Sequence, residues 1–397
     1  MGVKTVIGEG AAALTVEPTD EEQAMRATLA RIVGKYGHDY YARRSAANEP
    51  MSEMWDDLAA GGFLGLNVPE EYGGSGQGVM ELAIVLEEMS AGGCPELYLV
   101  LTQGIVANIL VRHGTPEQKS EHLPSIADGS RRIAFALTEP DAGSNSHMLS
   151  TSARLEGDEW IINGTKTFIS GIEHSDYFLL AARTSVDERS GRGRLSLFLV
   201  DSDVAGMERT LVPTAVTAPE RQWTLFFDDI RLPADRLVGE VNGGLRALFD
   251  GLNPERVMSA VICTGIGRYA LAKAQRYVNE RQVWGVPIGT HQAVAHPLAS
   301  AHVNLEAARS LVWQAAARYD EGLDAGEETN MAKYAASKAG LAALDTAIQV
   351  HGGNGMTIEY GLADLWGITR LQQIAPVSTE MVLNHIAQHT LSLPRSY

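Results

Sequence analysis

The 397-residue sequence predicts an α+β multidomain chain in three blocks: helices, then strands, then a bundle of long helices. Three observations predict it. From Glu21 to Arg131 apolar residues recur at helical spacing. The period then drops to two, with Leu195, Leu197 and Leu199 at every second position. Beyond Gly239 it returns to three and four, placing Leu305, Ala308, Val312, Ala315 and Tyr319 on one face. The domains expected are 1–131, 132–236 and 237–397.

In the first block, loops are marked by Gly61-Gly62, by Pro69 to Gly74 and by Gly92-Gly93. In the second, Asn163-Gly164 stands between Ile161-Ile162 and Thr165-Lys166, the strongest short signal for a hairpin turn. The third block is expected to break at Trp284-Gly285-Val286-Pro287 and at Gly352-Gly353-Asn354-Gly355. Tyr334, Leu341, Leu344 and Ile348 suggest a second core stripe. Gly265-Ile266-Gly267-Arg268-Tyr269-Ala270 has the G-x-G-x-x-A form of dinucleotide-binding turns, yet no turn signal separates it from the apolar run before it. It reads as helix interior, with the glycines admitting a neighbouring helix.

Hydrophobic residues at 45% and charged residues at 20% give the balance of a globular chain. Thirty-two Lys and Arg against 49 Asp and Glu leave a net charge of −17, which repels phosphate backbones and anionic lipid and argues against nucleic acid as a partner. No apolar run reaches the ~18 residues a membrane span needs. Cys94 and Cys263 are the only cysteines, and no His/Cys cluster has zinc spacing, so neither disulfide nor metal is expected. The eleven histidines, His291 and His351 included, form no metal or hydrolase pattern. The apolar stretch Ala11 to Val16 ends in the acidic run Glu17 to Glu22, too short for an export signal, and Val6 spoils a myristoylation site. A cytoplasmic location and a flexible start of ~15 residues are expected.

The most informative stretch is Phe135-Ala136-Leu137-Thr138-Glu139-Pro140-Asp141-Ala142-Gly143-Ser144-Asn145, where an apolar strand ends in small hydrogen-bonding residues. Alone, it reads as a polar turn that could also lie flat against a planar ring. Three further stretches follow it: Trp160 to Ser170, Arg281 to Gly285 with His291-Gln292, and Gln349 to Gly355. Together, in this order and spacing, they closely resemble the acyl-CoA dehydrogenase family along nearly the whole chain.

The resemblance implies a helical N-terminal domain, a central β domain and a C-terminal four-helix bundle, with FAD held between domains in a homotetramer, at least a dimer. It puts main-chain groups of Phe135, Leu137 and Thr138, with the Thr138 hydroxyl, at the flavin pyrimidine edge. Phe168 flanks the ring, Ser170 reaches N5, and Ser144 touches the thioester arm as well as the cofactor site. Arg281, Trp284, Gln292, Gln349, Gly352 and Gly353 match the set that binds the diphosphate and adenosine of a FAD in a neighbouring subunit. Ser378 and Glu380 fall near the flavin.

The implied reaction is α,β-desaturation of an acyl-CoA, with electrons passed to an electron-transfer flavoprotein. A carboxylate must remove the α-proton. Many family members carry it as a Glu in the loop that here reads Ile374-Ala375-Pro376-Val377-Ser378, where Pro376 replaces it and removes a main-chain N–H. Isovaleryl-CoA and long-chain members place the base in a Glu-Arg pair like Glu255-Arg256, with Asn253 and Arg256 on the CoA arm. Read from its residues alone, Glu255 is a carboxylate at a helix start, Pro254 lying in the first turn; with the resemblance it is the preferred base and Glu380 the rival. Thioesters of a carrier protein, a flavin monooxygenase of this fold and a non-catalytic subunit are the competing readings.

Overall fold

The computed structural model describes residues 19–395. The readings of the N-terminal segment, its flexible start included, concern residues outside the described ones. The first block opens with α1 (Asp20–Val33), started by a capping box in which Thr19 Oγ1 accepts the Glu22 N–H and the Glu22 carboxylate accepts the Thr19 N–H. Next come α2 (Gly37–Ala47), α3 (Ser52–Ala60) and α4 (Val79–Ala91), the last almost wholly buried. A π-helical stretch, Leu99–Ala107, runs directly into α5 (Asn108–His113). Thr115 and Gln118 cap α6 (Pro116–Ala127), with Pro116 in the first turn, where a missing N–H costs nothing.

The strands are β1 (Ile133–Ala136), β2 (Ser152–Glu156), β3 (Glu159–Ser170), β4 (Tyr177–Val186), β5 (Gly193–Asp201), β6 (Met207–Val212), β7 (Gln222–Pro233) and β8 (Leu237–Val238). They form one sheet in the order β6-β7-β3-β2-β4-β5-β8, with β1 parallel to β4. Leu195, Leu197 and Leu199 face a core shared with the helices, while Phe198 and Val200 face a second core on the other side of the sheet.

The hairpin expected at Asn163-Gly164 is corrected. The chain turns at Gly157-Asp158 between β2 and β3, and Asn163-Gly164 lies inside β3, at an irregularity in its pairing with β7. Gly164 has φ +146, and a Cβ there would fall 2.5 Å from Thr151 Oγ1. The glycine serves a bulge and a close backbone approach, and pairing on both sides overrides the local turn signal.

The third block contains α7 (Gly244–Glu280), a small hairpin of β9 (Gln282–Val283) and β10 (Val286–Pro287), α8 (Gln292–Asp320) and α9 (Gly326–His351). Two short helices, α10 (Trp366–Leu371) and α11 (Thr379–His385), complete it. Leu305, Ala308, Val312, Ala315 and Tyr319 are all buried. On α9 the core face differs from the expected stripe: Ala332, Ala336, Ala343, Leu344 and Ala347 are buried, whereas Tyr334, Leu341 and Ile348 are half-buried. Small residues win that face because α7 and α9 cross closely; a Cβ on Gly340 would lie 2.3 Å from the Cys263 carbonyl oxygen.

Gly265 and Gly267 likewise lie within α7, where added Cβ atoms would meet Ser90 of α4 and Leu305 of α8. One hydrophobic cluster runs continuously from α1–α4 through α7–α9, so the first and third blocks pack as one body beside the sheet. Among the described residues no helix is long and apolar enough to cross a membrane.

Candidate active site

Glu255 lies twelve residues into α7, which begins at Gly244. The expected placement in a first helical turn is therefore corrected: Gly244–Asn253 extends the helix upstream, and Pro254 sits in its interior. A proline there leaves the carbonyl four residues back without its N–H partner. That carbonyl belongs to Asp250, and Tyr319 Oη of α8 donates to it at 2.7 Å. The helix is interrupted and repaired one residue before the carboxylate.

The Glu255 side chain is half-buried, and its Oε2 is shielded from solvent without a hydrogen-bond partner. Burial pushes its carboxyl up to about 7, against the opposing charges of Arg256 and Lys333. Arg256 Nη1 donates to Asn253 Oδ1 at 2.5 Å, and its Nε is buried without a partner. Thr329 of α9 also reaches Asn253, and Asn330 beside it carries another orphaned oxygen. Three buried polar atoms left unsatisfied in one region mark a place for a ligand. A cavity of about 250 Å³ lined by Arg112, Asp250, Asn253, Tyr319 and Asp324 opens alongside. A larger one of about 430 Å³ lies on the β domain and contains none of the expected site residues.

Facing this region is Lys333, 0% exposed, whose Nζ donates to the Val377 carbonyl. Pro376 precedes that residue, and neither the Val377 nor the Ser378 N–H makes a hydrogen bond among the described residues. Ser378 caps α11 by accepting the Met381 N–H on Oγ, and Glu380 is exposed in the first turn. Sequence reasoning missed Lys333. The available signal was a lysine in phase with Ser337 and Gly340 on the small-residue face of α9.

The loop after β1 is held from beneath. Lys166 Nζ donates to the Leu137 carbonyl at 2.8 Å and to Glu139 Oε1 at 2.9 Å, and the Thr167 N–H donates to the Thr138 carbonyl at 2.9 Å. Burial would raise Glu139, but the Lys166 charge and hydrogen bonds from Ser150 and Thr151 outweigh it and hold the carboxyl at about 2. Phe135, Leu137 and Thr138 are half-buried at the end of this strand, and Ser144 is exposed further along the loop. Phe168 is 58% exposed and held at φ 56, a left-handed conformation costly for a bulky residue inside a strand. Ser170 Oγ donates to Gln222 Oε1 at 3.0 Å. The π-helical stretch braces this loop against α7: Thr102 bonds both ways with Ile133 of β1, and Met258 of α7 packs against Gly104.

The remaining predicted residues stand apart. Arg281 ends α7, at about 39 Å from Glu255 at 1.5 Å per residue. Trp284 is 88% exposed at φ 55 on the tip of the β9–β10 turn, and Gln292 begins α8. Gln349, Gly352 and Gly353 lie at the end of α9, with open space where Cβ atoms on the two glycines would project. Exposed aromatic faces, a cationic Arg281 and bare glycines suit an extended, anionic, ring-bearing cofactor. Among the described residues no cluster of His, Cys, Asp and Glu could hold a metal ion.

Family models match three consecutive segments: the acyl-CoA dehydrogenase N-terminal domain at 19–130, the middle domain at 134–230 and the C-terminal domain at 242–391. The chain is 49% identical over 381 residues to acyl-CoA dehydrogenase FadE12 of Mycobacterium tuberculosis, covering 96% of this chain and 98% of that one. Butyryl-CoA dehydrogenase from Megasphaera elsdenii superposes with TM-score 0.89 at 27% identity, over 95% of this chain and 100% of the other. A chain in the structure of the electron transferring flavoprotein of Acidaminococcus fermentans superposes equally well, at 0.89 and 28% identity, over 95% and 100%. The chain belongs to the acyl-CoA dehydrogenase family and is an FAD-dependent oxidoreductase.

Proposed function

We propose that the chain desaturates a saturated acyl-CoA between Cα and Cβ, with Glu255 removing the α-proton. The observation that carries this reading is the Glu255 carboxyl, with one oxygen shielded and unpartnered and its affinity for protons raised to about 7. A carboxyl so poised is part-ionised at neutral pH, as a general base should be. The Ile374–Ser378 loop offers no carboxylate, and Glu380 is exposed.

FAD, when bound, supplies the two-electron oxidation. The chain's own groups hold and orient. Phe135, Leu137 and Thr138 would hold the flavin through main-chain groups, with Phe168, Ser170, Ser378 and Glu380 completing its site. Ser144, Asn253 and Arg256 bind the thioester arm. A free N–H at Val377 or Ser378 takes the place of the one Pro376 lacks in polarising the thioester carbonyl, a role worth ~3 kcal/mol. Arg281, Trp284, Gln292, Gln349, Gly352 and Gly353 bind the diphosphate and adenosine of a neighbouring subunit's FAD. What supports this is the remoteness of Arg281 from Glu255 along α7 and the exposure of Trp284, whose ring meets His291 edge-on. The assembly is then at least a dimer, and we take it as a tetramer. An electron-transfer flavoprotein receives the electrons. The two buried free thiols suit a reducing cytoplasm, which cell fractionation tests.

The test is anaerobic. Saturated acyl-CoAs of graded length and branching are mixed with the holoenzyme, and flavin absorbance is followed. At least one should bleach it; a panel that leaves the colour unchanged sinks the reading. Glu255→Gln should keep FAD and slow bleaching by about 10²–10⁴-fold, while Glu380→Gln is mild. Equal losses refute the assignment of the base. A monomer that holds FAD in sedimentation refutes the shared site, and failure of reduced enzyme to reduce an electron-transfer flavoprotein refutes that partner.

A further inference from the structure

We propose that Lys333 is a positioning residue of this site: its ammonium clamps the Val377 carbonyl, fixing the loop that follows Pro376, and sets a positive charge against Glu255. The proposal deepens the reading of Glu255 as base and rests on it.

Among the described residues two lysines are fully buried, and they are held differently. Lys166 is neutralised by Glu139 at 2.9 Å. Lys333 has no carboxylate within ion-pair distance among the described residues; its hydrogen bond goes to a main-chain carbonyl. Burying an ammonium without a counter-ion is expensive, and a packing role is served more cheaply by an apolar side chain. The titratable groups acting on it come from two of the elements packed against α9: Glu255 and Arg256, with the Cys263 thiol, from α7, and Glu380 from α11. His385 of α11 in turn faces Arg256, Glu327 and Asp324 at the rim. Two atoms in this set are shielded from water and without a partner, Glu255 Oε2 and Arg256 Nε, and of the two groups only Glu255 carries a charge that attracts the ammonium.

The clamp has a directional consequence. The Val377–Ser378 peptide is trans, so its carbonyl and N–H point opposite ways. Holding the carbonyl toward α9 turns the Ser378 N–H away from α9, where it has no protein partner. One side chain therefore fixes both a free donor and the field at the carboxylate.

The experiment uses the FAD holoenzyme and reads Glu255 directly. The carboxyl C=O infrared band that disappears in Glu255→Gln is titrated in wild type, Lys333→Met and Lys333→Arg. Removing the cation should raise the midpoint by about one unit, ~ten-fold fewer ionised carboxylates at neutral pH, while Lys333→Arg keeps the wild-type midpoint. Bleaching by acyl-CoA in Lys333→Met should lose most at low pH and recover as pH rises. If Lys333→Met does not fold, Lys333→Gln, which retains an N–H for Val377 without charge, carries the same measurement. An unmoved midpoint in the neutral variant, or an equal rise in Lys333→Arg, overturns the proposal. A band that shifts as expected in a protein that no acyl-CoA bleaches leaves the Lys333 assignment standing and removes the dehydrogenase reading.

Discussion

At the residue scale Glu255 and Lys166 differ in how far the sequence announces them. Glu255 stood next to an arginine in a recognisable pair, but its environment depends on α9 and the Pro376 loop, more than seventy residues away in the chain. Lys166 belonged to a quoted motif without an assigned role, because nothing local tells a surface lysine from one that reaches under a loop to bond the Leu137 carbonyl. Lys166→Met should loosen the Leu137–Thr138 main chain and leave Glu139 short of its counter-ion. FAD retention, measured by ultrafiltration, is expected to weaken by about ten-fold or more, with the Glu255 titration unchanged. Undiminished retention would mean the pair is only structural.

At the scale of elements, α7 shows how a sequence rule can be right in its parts and wrong in its place. Proline does prefer a first turn, yet here the residues before it are themselves good enough to begin the helix ten positions earlier. The interior proline is tolerated because Tyr319 supplies the missing donor from another helix. Tyr319→Phe therefore leaves the Asp250 carbonyl unsatisfied and should cost about 1–3 kcal/mol in urea unfolding. A loss of stability shared by a proline-to-alanine variant, in which the backbone repairs itself, would argue against this account. The Asn163-Gly164 correction has the same origin: local propensity proposed a turn, and strands on either side of β3 decided for a bulge.

For the whole molecule, the helical blocks are tied by an ion network at Glu87 of α4, which accepts from Arg26 of α1, Arg268 of α7 and Arg309 of α8. Burial would raise this carboxyl, but Arg309 and the other two arginines outweigh it and hold it at about 2. A carboxyl depressed in the folded state contributes stability that is whole above its ordinary value of 4.5 and is lost as pH falls toward 2. Glu87→Gln should cost about 1–3 kcal/mol, since Arg26 and Arg268 keep Glu88 and Arg309 keeps Glu306, and should flatten the acid dependence of the unfolding midpoint across that window. An unchanged acid slope would refute it. The sequence by itself determined the order of blocks and the family, because hydrophobic period and linear motifs are properties of neighbours along the backbone. Only the tertiary structure decided where α7 begins, that Lys333 meets the Val377 carbonyl, and that Arg281 stands at the far end of a long helix from Glu255. Those facts arise from packing between segments distant in the chain, where burial sets the charge of a group and sequence spacing carries no record of it.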